Sequence, residues 1–186
     1  MQSYNKLQQM IRAMPTIKRE NQYWSFENNK ICYKETHKTL SLSDFQELLT
    51  TAQDYFRFIF DSEKSETQVL IVTNDMYDKY EFPKTIALHS YDPNYQILVP
   101  PQKNSLTNTI VDESWWYNNF TKRNITPFMR IHSHHILDAY QSKTDYNFLN
   151  SNTLEVVIGQ IYDDLPPIAY WLDQTGKSTK KNVFII

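Results

Sequence analysis

His132 and His134 stand two positions apart in the run Met129-Arg130-Ile131-His132-Ser133-His134-His135, and Ser142 and Asp145 follow them. In an extended segment alternate side chains share a face, so His132 and His134 project together. Two imidazoles on one face can share a metal ion. Asp145, at the start of a following helix, can supply a third ligand through oxygen. Two histidines and a carboxylate leave a fourth position open for water, the arrangement of a catalytic zinc site. Zinc would lower the pKa of that water toward neutrality and polarise a scissile carbonyl. Each part also has a plainer reading. An isolated His-x-His pair is commonly structural, and Ser142 followed by Asp145 is a helix N-cap pattern that needs no metal. The two readings of Ser142 are compatible, because a capping serine can still direct its hydroxyl into a site.

The elements that must position these residues are readable from periodicity. Pro127 restarts an extended segment over Phe128 to His132, and Ser142 to Asn150 reads as a helix. The clearest helix lies upstream. Ser43 is a suitable N-cap with Gln46 three residues on, and Phe45, Leu48, Leu49, Ala52, Phe56 and Ile59 recur at helical spacing up to about Ser62. The run QVLIVT from Gln68 to Thr73 reads as a strand. Thr85 to Leu88 and Gln96 to Val99 read as two strands of a hairpin around Asp92-Pro93-Asn94. Asp112 to Lys122 reads as a helix carrying Trp115, Trp116 and Phe120. Leu154 to Ile161 and Ile168 to Leu172 read as strands, Ile31 to Leu40 as a weaker one, and Val183 to Ile186 as a last one. Strands and helices mix without strict alternation. The expected class is therefore α/β or α+β, a mixed sheet flanked by helices. The expected division is an N-terminal extension over 1–66, with a helix near 43–62, and a catalytic unit over 67–186.

Bulk properties narrow the function classes. The chain has 186 residues, 40% of them hydrophobic, enough for one substantial core. Only two glycines occur, Gly159 and Gly176, which excludes phosphate-cradling glycine-rich loops. A formal net charge of -2 lacks the basic footprint of a nucleic-acid binder. Lys177, Lys180 and Lys181 read as a solvated loop. One cysteine, Cys32, cannot form an intrachain disulfide, and no apolar run is long enough to span a bilayer. A cytoplasmic location is the expectation, with no membrane partner.

The string His132-Ser133-His134 with Ser142 and Asp145 resembles the signature of the JAMM (MPN+, Mov34/PAD-1) metalloprotease family, and the likeness runs from about Gln68 to the C-terminus. It implies a mixed sheet similar to the cytidine deaminase architecture, Zn2+ as cofactor, and a protein or peptide substrate, ubiquitin-like proteins included. It implies His132, His134 and Asp145 as metal ligands and Ser142 as a stabiliser of the oxyanion. It also implies an upstream glutamate as general base. Glu81 fits best, because a strand, a turn and the string Ile97-Leu98-Val99-Pro100-Pro101-Gln102 follow it. Glu66, which opens the QVLIVT strand, comes second, and Glu63 and Glu113 trail. The chain departs from the family at two places. His135 stands where a proline is usual, and an exposed His135 is expected. Pro83 and Lys84 stand where glycines are usual after the base. No cysteine lies after Cys32, so a second structural zinc is not expected. Tyr140, Tyr146, Trp115 and Trp116 are candidates to line a groove, or to fill a core. A catalytically silent scaffold that binds a partner is the alternative function. A deaminase is excluded, since its zinc needs paired cysteines.

Overall fold

A computed structural model describes residues 24–27, 30–33, 38–89, 94–139, 142, 152–163, 165, 167–172 and 178–182. Among the described residues, three strands open the chain: β1 (Trp24–Glu27), β2 (Lys30–Tyr33) and β3 (Lys38–Ser41), an antiparallel sheet in the order β1-β2-β3. The long helix α1 (Leu42–Glu63) follows directly. Its cap is Ser41 rather than Ser43. The Ser41 hydroxyl accepts the Asp44 N–H at 3.1 Å, which satisfies one of the unpaired N–H groups of the first turn. The expected apolar stripe is buried in full, from Phe45 to Ile59. The helix ends at Lys64, which adopts a left-handed conformation and returns its N–H to the Phe60 carbonyl.

Among the described residues, the main sheet has seven strands in the order β12-β11-β10-β9-β4-β6-β5. They are β4 (Gln68–Thr73), β5 (Ile86–Leu88), β6 (Tyr95–Val99), β9 (Met129–Ser133), β10 (Leu154–Ile158), β11 (Ile168–Leu172) and β12 (Ser178–Asn182). Only β9 and β10 pair in parallel; the other neighbours are antiparallel. Short elements complete it: α2 (Asn74–Lys79), a hairpin of β7 (Gln102–Asn104) and β8 (Thr109–Val111), and α3 (Glu113–Trp116), which runs into a π-helical turn over Tyr117–Thr121. The helix expected over Asp112 to Lys122 is thus a single α-turn, capped by Asp112, and then a π-turn. The mixed sheet with helices on it is the expected class.

Both faces of the centre are covered. Val69 and Ile71 of β4 point into a core shared with Phe45, Leu48, Leu49, Ala52 and Phe56 of α1 and with Ile31, Tyr33 and Leu40 of the first sheet. Leu70 and Val72 point the other way, to Phe82, Trp115 and Phe120. A strand buried on both faces reads as a continuous apolar run, which is why QVLIVT is legible. Among the described residues, the first core spans the division expected at 66/67, since α1, β2 and β3 share it with the main sheet. The last strand expected over 183–186 lies outside the described residues. The lysine-bearing segment 178–182, expected as loop, is instead the edge strand β12, paired with β11. The helix expected over Ser142 to Asn150 lies outside the described residues except for Ser142.

Phe56 is fully buried at the centre of the α1 stripe. Phe56→Ala is expected to lower the unfolding free energy by about 3–5 kcal/mol, measured by urea denaturation; a loss below ~1 kcal/mol would remove α1 from the core.

Candidate metal centre

The register of β4 against β9 builds the site. Gln68 pairs with His132 and Val69 with Ile131. The ladder continues past the strand end through Thr67 and Ser133. The Ser133 N–H donates to the Thr67 carbonyl at 3.0 Å, and the Thr67 N–H donates to the Ser133 hydroxyl at 3.1 Å. Glu66, one residue further out, is thereby held beside the His132-Ser133-His134 run. On the other flank, Val157 of β10 pairs with His132, and the His134 N–H donates to the Ile158 carbonyl at 2.8 Å.

His132, Ser133, His134 and His135 are all buried. The Nε2 atoms of His132 and His134 lie 3.3 Å apart. The two rings therefore meet at their tips, as their shared face requires. The Nδ1 of His134 lies 3.3 Å from the Asp138 carbonyl. A carbonyl can only accept, so Nδ1 carries the proton and the Nε2 lone pair of neutral His134 points at His132. Such a pair is satisfied by one shared proton or by one shared cation. Two nitrogens bound to tetrahedral zinc at about 2.0–2.1 Å are separated by roughly 3.3–3.4 Å. The observed spacing and the donor chemistry fit that metal. Asp145, the third ligand expected from the sequence, lies outside the described residues. Ser142 is described and half-buried. Among the described residues no group of three His, Cys, Asp or Glu side chains is arranged to hold a metal.

The loop after His134 is clamped along its length. Gln160 donates its N–H to the Leu137 carbonyl at 2.7 Å, and Ile161 to the His135 carbonyl at 2.8 Å. Gly159 makes this approach possible. A Cβ there would lie 2.1 Å from the Ala139 nitrogen and 2.5 Å from the Leu137 oxygen. Helix α1 buttresses the same loop, with Gln53 Nε2 donating to the Ile161 carbonyl at 2.7 Å and Phe60 stacked on the His135 ring at 5.0 Å. Burial pushes the Tyr55 phenol on α1 up, with a smaller opposing effect from its hydrogen bond to Thr67. Tyr162 is also pushed up, chiefly by its hydrogen bond to Asp61. Arg130, two residues before His132 on the same face, meets buried Glu155 at 2.8 Å. Each charge there is neutralised by its partner, as burial demands.

The candidate glutamates fall at different places. Glu66 is buried at the entrance of β4, and its carboxylate lies 3.9 Å from His135 Nε2. Glu81 is exposed after α2, and its carbonyl accepts from Arg123. Of the candidate glutamates, Glu66 is the one that strand pairing and the His135 contact place against the histidine run. Glu63 and Glu113 are exposed. The expectation of an exposed His135 is corrected: it is only 2% exposed. Trp115 is buried in the second core and Trp116 packs on Phe120, so neither lines the site. Tyr140 and Tyr146 lie outside the described residues. The supports from Gly159, Thr67 and Phe60 escaped sequence reasoning, although a lone interior glycine in a glycine-poor chain was an available signal.

In comparisons with known proteins, no family model matches the chain, and no curated protein matches its sequence. No helix among the described residues is long and apolar enough to cross a membrane.

Gly159→Ala is expected to push the 137–139 backbone away and to cost about 1–3 kcal/mol, read by urea denaturation. Unchanged stability would mean that the two backbones do not meet.

Proposed function

We propose that the chain is a zinc-dependent hydrolase that cleaves a peptide or isopeptide bond, with Glu66 as general base. The observation that supports it most is the pair of His132 and His134 Nε2 atoms 3.3 Å apart, beside a buried glutamate at the entrance of the neighbouring strand. On this reading His132, His134 and Asp145 hold the metal, with Asp145 assigned from the motif's resemblance to the JAMM family. The sheet is then of the JAB/MPN type.

When bound, zinc supplies an acidified water and a Lewis acid for the scissile carbonyl. Glu66 takes the proton from the attacking water and returns it to the leaving amine. Its burial beside the histidine run suits that task by keeping bulk water from the proton it carries. Ser142 donates its hydroxyl to the oxyanion that forms on the substrate carbonyl. The Asp138 carbonyl keeps His134 in the tautomer whose Nε2 carries the lone pair a metal would take. The lone cysteine, Cys32, accords with a cytoplasmic location.

Purified protein is expected to hold about one zinc per chain, read by plasma mass spectrometry, and His134→Ala to weaken zinc binding at least ~100-fold. A zinc-free wild type after zinc-replete purification would sink the hydrolase reading and leave a partner-binding scaffold. Glu66→Gln is expected to keep the zinc and to slow hydrolysis by about 10²–10⁴-fold, assayed on libraries of linear and lysine-isopeptide substrates. Glu81→Gln is expected to leave both unchanged; the reverse result would restore Glu81 as base.

A further inference from the structure

His135 is the one histidine of the cluster that the proposed chemistry does not use, and its surroundings give it another task. Its backbone is in the left-handed region, with φ of 34°. Nδ1 accepts the Ile136 N–H at 2.8 Å. A nitrogen that accepts carries no proton, so in the neutral ring the proton sits on Nε2. That Nε2–H faces the Leu106 carbonyl and donates to it. Both nitrogens are therefore committed, and neither has a lone pair to offer a metal.

The bond to Leu106 reaches the turn over 105–108 that joins β7 to β8. The same turn holds Glu66 directly, since the Glu66 N–H donates to the Ser105 carbonyl at 2.8 Å. The His135 Nε2 also lies 3.9 Å from the Glu66 carboxylate, with its N–H dipole on the side that favours negative charge. One ring thus joins three elements: the loop that follows His134, the hairpin turn and the residue proposed as base. Phe60, stacked on the ring at 5.0 Å and 17° between planes, fixes its orientation from α1.

We infer that His135 is a positioning residue, which holds the Glu66 carboxylate and the 105–108 turn as one unit against the His132/His134 pair. The inference rests on the hydrolase reading for its purpose, though not for its test. The turn also carries the exposed Leu106 side chain, 57% exposed, so a contact made there is transmitted to Glu66 through two hydrogen bonds. Thr67 and Ser133 fix the backbone of Glu66 from the strand side; His135 fixes it from the loop side.

The experiment needs neither a substrate nor bound metal. In wild-type protein, long-range 1H–15N correlation of the imidazoles is expected to show His135 as the Nε2–H tautomer. The Nδ1–H tautomer would overturn the inference without any variant. His135→Phe keeps the stack on Phe60 and removes the donor. It is expected to shift the 13C resonance of the Glu66 carboxyl and to speed amide exchange at Glu66 and the 105–108 turn at least ~10-fold, while zinc uptake, with zinc alone as probe, changes less than ~3-fold. His135→Gln, which restores a donor, is expected to return the Glu66 resonance most of the way. An unmoved Glu66 resonance in His135→Phe, or equal shifts in the Phe and Gln variants, would overturn the positioning role. Loss of zinc uptake in the wild type would instead defeat the hydrolase reading and leave the test of His135 intact.

Discussion

Two hydrogen bonds between Thr67 and Ser133 extend the β4–β9 ladder by one rung beyond the strands. The site depends on that rung. Because side chains alternate along a strand, a slip of one residue would turn His132 and Glu66 away from their shared neighbourhood. The slip is prevented by burial. Val69 and Ile71 fit only the α1 side, while Leu70 and Val72 fit only the other. The hydrophobic pattern of QVLIVT thus sets the register, and the register sets which polar groups meet at the strand end.

Support for the histidines comes from elements far away in sequence. The β9–β10 parallel pair brings Gly159 and Ile161 next to the loop that follows His134, and α1 closes over that loop with Gln53 and Phe60. The long helix is therefore part of the site's foundation as well as of the core. That dual use ties residues 42–63 to the sheet and to the loop that follows His134. Removing α1 would uncover Val69, Ile71 and Ile131 and would also take away the ring on which His135 rests.

Much of this was legible in the sequence, for a stated reason in each case. The α1 stripe and the β4 run are legible because burial imposes a period of 3.6 on one and removes polar positions from the other. The His132/His134 pair is legible because period-2 alternation is a local rule. The choice between Glu81 and Glu66 is not legible locally, because which glutamate meets the histidine run is held in the pairing of β4 with β9. His135 was read as exposed because its burial is created by Phe60, Leu106 and Ile161, each distant in sequence. The π-helical turn after Trp116 and the charged edge strand β12 left no periodic signature.

The left-handed backbone at His135 has an evolutionary consequence. Proline locks φ near −65°, roughly 100° from the value of 34° found here. A His135→Pro exchange would have to rebuild the loop and would strand the Leu106 carbonyl and the Ile136 N–H without their partner. A loop stiffened by proline and a loop pinned by a buried imidazole are thus separate solutions to the same problem. Passing from one to the other requires coordinated changes at several positions, which single substitutions do not supply.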